Sequence, residues 1–145
     1  MIKKLSIINF RNIESLDMSF SEHINAIIGN NGIGKTNIID AIHFLSLCKS
    51  FTGASDQQLI RYGESFFSLK GEFSNEIAND IINCSYESDK SKIFKRNDKK
   101  YERLIDHIGF IPVVVISPSD TELVNSGSID RRKFFDTFIS QFDNV

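Results

Sequence analysis

The chain has 145 residues, 41% of them hydrophobic and 25% charged, with a net charge of −2. That is enough for one domain with a sizeable core, its mix is ordinary for a soluble globular protein, and no apolar tract is long enough to cross a membrane. The charge is uneven: Lys90–Arg103 holds seven basic residues against Asp98 and Glu102, a net +5, which leaves −7 on the remainder. Met1 is followed by Lys3, Lys4 and an alternating stretch rather than a signal peptide's apolar core and cleavage site, so a cytoplasmic location is expected. Cys48 and Cys84 lie far apart without metal-ligand spacing and are expected as reduced, packed thiols.

In chain order, Ile2–Phe10 reads as a strand. Glu14–Phe20 is a second, in which Leu16, Met18 and Phe20 alternate with Asp17 and Ser19. Ile24–Ile28 is short and apolar, as a strand buried on both faces would be. It runs into Gly29-Asn30-Asn31-Gly32-Ile33-Gly34-Lys35-Thr36. Beyond Lys35, Ile38, Ile39, Ala41, Ile42, Phe44, Leu45 and Leu47 spread around most of a largely buried helix.

Phe66–Phe73 and Ile81–Tyr86 are further strands, and Ser91–Arg96 pairs back through Ser88-Asp89-Lys90. Val113–Ile116 is a β-branched run stopped by Pro118. Ser128 suits a helix N-cap with Asp130 in the first turn, and Phe134, Phe135, Phe138, Ile139 and Phe142 share one face behind it.

The glycine stretch matches GxxxxGK[ST] at each defined position, between an expected strand and a helix. Its glycines permit positive φ and let successive N–H groups converge on phosphate oxygens. The helix start adds its positive end. Lys35 supplies a charge for the outer phosphates, and the Thr36 hydroxyl is placed to ligate Mg²⁺. Asn30 and Asn31 tolerate left-handed backbone. Nucleotide binding follows.

Hydrolysis does not follow as directly. It needs an apolar strand ending in an acid, whereas Val113–Ile116 ends in Ser117-Pro118, and Asp40 and Asp106 sit in other contexts. His23, His43 and His107 form no triad or metal spacing, so no catalytic residue is assigned. In the basic segment, Lys92, Lys95, Arg96, Lys99 and Lys100 are candidates for contacting DNA phosphate. The alternative is a solvated hairpin whose lysines keep an edge strand soluble, since only Phe94 and Tyr101 interleave the charges.

Several stretches together resemble the RecF family of bacterial recombination-repair ATPases, relatives of the structural-maintenance-of-chromosomes proteins. They are Leu5–Asn12 (LSIINFRN), Gly29–Asn37, Lys49-Ser50-Phe51, Leu59–Glu64, Ile116–Asp120 (ISPSD) and Arg131–Asp136 (RRKFFD). The resemblance implies an α/β P-loop NTPase fold. This would be an ABC-type ATPase head lobe with a mixed sheet around the central helix after the Walker A loop, plus an antiparallel β subregion and the start of a helical lobe. Residues 1–117 would be the N-terminal part of the ATPase lobe and 118–145 a truncated start of helical lobe II.

By the same resemblance the ATP site would comprise Gly29, Asn30, Asn31, Gly32, Ile33, Gly34, Lys35, Thr36 and Asn37, with Arg11 and Asn12 beside the nucleotide and Mg²⁺ on Thr36. For Arg11 a strand-end surface charge is the plain alternative. The implied partners are double-stranded DNA near single-strand gaps, RecR, RecO, and a second copy in an ATP-dependent dimer. The implied setting is DNA replication, repair and the SOS response in the cytoplasm. Family members are much longer, so the signature motif and acidic metal strand would lie beyond Val145. The full-length protein would then be a weak DNA-stimulated ATPase, and this stretch alone inactive. Cys48 and Thr52 depart from the family, which more usually has Gly and Arg there. Two other readings stand beside this one: a nucleotide-gated interaction module without catalysis, and a small-acceptor phosphotransferase, for which no acceptor-binding or lid segment is evident.

Overall fold

A computed structural model describes residues 1–74 and 79–118, together with Arg132, Phe135, Asp136 and Ile139. Among the described residues six strands form one sheet: β1 (Ile2–Phe10), β2 (Ile13–Ser19), β3 (Phe66–Ser74), β4 (Asn79–Glu87), β5 (Ile93–Arg96) and β6 (Lys99–Lys100). Their order is β2-β1-β3-β4-β5-β6, and every pairing is antiparallel. Helix α1 (Lys35–Leu47) follows the glycine loop, α2 (Asp56–Leu59) is one turn, and a 3-10 turn spans Leu104–His107.

The sheet's two faces follow the period of two seen in the sequence. Leu5 and Ile7, Phe67 and Leu69, Ile82 and Cys84, and Phe94 point to the buried side, where α1 covers them with Ile38, Ala41, Phe44 and Leu45. At the centre, Phe10 and Phe67 meet edge-on with centroids 5.3 Å apart, Phe44 meets Phe67 at 5.6 Å, and Phe94 stacks on Phe44 at 6.1 Å. Each such pair adds about 0.5–1.5 kcal/mol beyond its burial. Both cysteines are free and buried, and burial pushes the Cys48 thiol up to about 12 and raises Cys84 as well. These are inert thiols.

The hairpin reading of Ser91–Arg96 holds, since β5 pairs with β4. Two expectations do not. Ile24–Ile28 and Val113–Ile116 form no strand among the described residues, and Ile24, Ile28 and Ile116 are 90%, 89% and 86% exposed. A strand buried on both faces needs a paired neighbour, and among the described residues neither run pairs with any strand of the sheet. Of the helix expected from Ser128, Arg132, Phe135, Asp136 and Ile139 are helical and exposed; its other residues, with Phe134, Phe138 and Phe142, lie outside the described residues. No described helix is long and apolar enough to cross a membrane.

Candidate nucleotide-binding site

The loop sits where β1 ends and α1 begins. Gly32 has φ 82° and Gly34 has φ 109°, left-handed backbone that favours glycine. At Gly34 a Cβ would also lie 2.8 Å from Asn12 Oδ1 and 3.3 Å from Ile13 Cγ1, so the position is closed to side chains twice over. Gly34 caps α1, its carbonyl accepting from Ile38 N–H at 3.1 Å. The N–H groups of Lys35, Thr36 and Asn37 thus open the helix without intrahelical acceptors, which is an anion-binding arrangement.

Lys35 Nζ donates to the carbonyls of Gly29 (2.8 Å) and Asn30 (2.7 Å), placing the ammonium within the loop. Thr36 stands exposed on the first turn, and its hydroxyl has no hydrogen bond among the described residues. The donor set therefore fits a nucleotide phosphate chain, and Thr36 is the residue whose hydroxyl oxygen would be available to a magnesium ion. Among the described residues no cluster of three His, Cys, Asp or Glu side chains offers a metal site.

Arg11 and Asn12 are brought to the loop, and both are engaged with protein groups. Asn12 Nδ2 donates to Gly32 O (2.8 Å), while its Oδ1 accepts from Asn37 Nδ2 (2.7 Å), so one amide ties the loop to the first turn of α1. Arg11 has a left-handed backbone (φ 53°), its N–H donating to Leu59 O at 2.7 Å. Its side chain makes an ion pair with Asp40 on α1 at 2.8 Å. A surface charge is the wrong description of Arg11.

Asp40 is the residue that sequence reasoning missed. Its helical context gives it no place as a metal-holding acid, and it is fully buried beneath Arg11. The available signal was an aspartate set among the apolar residues Ile38, Ile39, Ala41 and Ile42 of the helix, four residues after Thr36.

The basic hairpin divides. Lys92 Nζ donates to Cys48 O at the end of α1 (2.6 Å), pairs with Asp56 (2.9 Å) and lies 5.1 Å from the Phe44 ring centroid. Arg96 pairs with Asp80 at 2.8 Å and stacks 3.6 Å over Phe110, and its hydrogen bond holds the Asp80 carboxyl below the usual value. Both are engaged with protein groups. Lys95, Lys99 and Lys100 are exposed, and Lys95 and Lys100 are register partners on the sheet's outer face. Through Asn83 the same row continues to Lys70, a neighbour that no local window reveals.

Comparison with known proteins bears on family and fold. A model of the RecF/RecN/SMC N terminal domain matches residues 1–107. The DNA replication and repair protein RecF of Bacteroides fragilis is 45% identical over 144 residues, covering 99% of this chain and 39% of that protein. The Porphyromonas gingivalis RecF is 43% identical over 144 residues, covering 99% and 40%. A solved structure of the recombination mediator protein RecF with ATP superposes at TM-score 0.91 with 32% identity, covering 99% of this chain and 40% of that one. An SMC ATPase structure at 23% identity superposes at TM-score 0.76, covering 94% and 98%, which shows the shared fold alone. The fold is that of an α/β P-loop ATPase head, and the chain spans 39% of the length of the Bacteroides relative.

Proposed function

The chain belongs to the RecF/RecN/SMC N terminal domain family, and from that premise we propose that it is the ATP-binding lobe of a DNA replication and repair ATPase. In this reading the N–H groups of Gly29–Thr36 cradle the phosphates, with Asn37 at the rim. Lys35 leaves the Gly29 and Asn30 carbonyls to meet the outer phosphates. Arg11 and Asn12 flank the site. Mg²⁺, when bound, would neutralise phosphate charge from the Thr36 hydroxyl. The observation that carries the reading is the left-handed Gly32 and Gly34 backbone opening directly onto α1 with Lys35 inside the loop.

Asp40, the acid on α1, is committed to Arg11 and Ser50 and is not offered as a base for water. Turnover therefore belongs to the whole protein, with this lobe supplying binding. We extend the proposal to a weak DNA-stimulated ATPase, an ATP-dependent dimer, duplex DNA near gaps, and RecR and RecO as partners. Residues 1–117 would belong to the ATPase lobe and 118–145 would open the helical one. Supporting this are the RecF relatives and the ATP-bound RecF neighbour.

The test is titration of ATP with Mg²⁺ into the full-length protein. Lys35→Ala is expected to weaken binding by more than about tenfold, at least about 1.4 kcal/mol, with the melting transition retained. Unchanged affinity would sink the reading.

A further inference from the structure

Thr36 and Asp40 stand four residues apart on α1 and share a face. Helical side chains lean toward the N-terminus, so Asp40 projects over the turn that carries Thr36. Arg11 arrives on that face from the end of β1. Its Nε and Nη2 both donate to Asp40 Oδ2, at 3.0 and 2.8 Å, and Nη2 also reaches Ser50 Oγ at 3.1 Å and Thr52 Oγ1 at 2.5 Å. Asp40 Oδ1 accepts from Ser50 Oγ (2.9 Å) and from Phe51 N–H (3.0 Å). The carboxylate is 0% exposed and the Arg11 side chain 23%.

Every bond of the guanidinium to a described residue thus uses Nε or Nη2. Among the described residues Nη1 carries none. A planar fork gripped along one edge presents its other edge in a fixed direction, and its rotamer freedom is already lost before a ligand arrives. Beside it, Asn12 ties Gly32 to Asn37, so the chain segment that carries Arg11 is itself anchored to the loop.

We propose that Asp40, assisted by Ser50, is a positioning residue for nucleotide recognition. It holds Arg11 by Nε and Nη2 so that the two N–H donors of Nη1 face the outer phosphates of a nucleoside triphosphate on Gly29–Thr36. This rests on the reading of that loop as the ATP site. A brace that only joined α1 to the Ser50–Thr52 turn would affect all nucleotides alike. A device that aims Nη1 at the outer phosphates favours ATP over ADP.

The experiment measures ATP and ADP affinity, each with Mg²⁺, in the full-length protein by calorimetry. The variants are Lys35→Ala, Arg11→Ala, Arg11→Lys, Asp40→Asn, Ser50→Ala and the Arg11→Ala/Asp40→Asn double. Asp40→Asn is expected to weaken ATP about tenfold and ADP no more than about threefold. Arg11→Ala should show the same bias, with no rescue by lysine, which lacks the fork. The double variant should be no weaker than Arg11→Ala, because the two residues act as one unit. Equal losses for ATP and ADP, or losses that multiply in the double, would overturn the proposal. If Asp40→Asn lacks a cooperative melt, Ser50→Ala decides: a smaller loss with the same ATP bias supports it, and an unchanged ATP/ADP ratio overturns it. Retained ATP binding in Lys35→Ala would instead remove the loop reading, and this proposal with it.

Discussion

The glycine loop and the basic hairpin both announce phosphate in the sequence, yet the fold uses them differently. In the loop the recognising groups belong mainly to the backbone, and glycine spacing dictates backbone path, so the pattern and the geometry coincide at Gly32 and Gly34. In the hairpin the recognising groups would be side chains, whose direction depends on register. There the sheet turns Lys92 and Arg96 to structural duty and leaves Lys95 and Lys100 side by side outside. A motif written in backbone survives folding intact; a charge count is redistributed by it.

The strongest way to break that contrast is Gly34→Ala. A positive φ and an Asn12 oxygen at 2.8 Å oppose the new methyl. Stability should fall by about 1–3 kcal/mol, and ATP affinity should fall with it, read by denaturant titration and calorimetry. Normal affinity would mean that the loop's backbone path is not what matters.

Lys92→Ala should behave as a core substitution despite its charge. It removes the donor to Cys48 O, the Asp56 partner and the Phe44 contact. A loss of about 1–2 kcal/mol is expected, with no change in how DNA affinity depends on salt. Lys95→Gln and Lys100→Gln should do the reverse. If the outer row meets duplex DNA, each should flatten the slope of log affinity against log salt by about 0.9 and leave the melt unchanged. An unchanged slope would reduce the row to a solvated sheet face.

The smallest effect expected is with acid. His107 lies buried between Phe94 and Tyr101, its Nε2–H donating to Leu45 O at 2.6 Å, and His43 Nδ1–H donates to Lys49 O at 2.8 Å. Burial lowers the pKa of both below the ordinary 6.5, outweighing those hydrogen bonds. The unfolded chain therefore takes up protons first. Stability is full above pH 6.5 and declines as the pH falls below it toward the folded values. Melting curves between pH 8 and 5 should show the decline, and His107→Phe should reduce it.

Much of the site was legible because it is local. The loop, α1 and the segment Asn9–Asn12 each carry their signal within a dozen residues. Arg11's partner was not legible, since Asp40 lies 29 positions away and Ser50 and Thr52 further still. The runs Ile24–Ile28 and Val113–Ile116 show the same limit from the other side: apolar composition marks a strand, but a strand forms only where another segment pairs with it, and among the described residues none pairs with these two.

By itself the sequence determined the strand alternation of β1 to β5, the helix after the loop and the left-handed glycine positions. These are set by period-two burial, apolar crowding and the absence of Cβ. Tertiary structure alone decided that Arg11 is pinned by Asp40, that Asn12 clamps Gly32 to Asn37, and that Lys70 joins Lys95 and Lys100 in one row. Those depend on which distant segments the sheet and α1 bring within hydrogen-bond reach, and no local pattern encodes that distance.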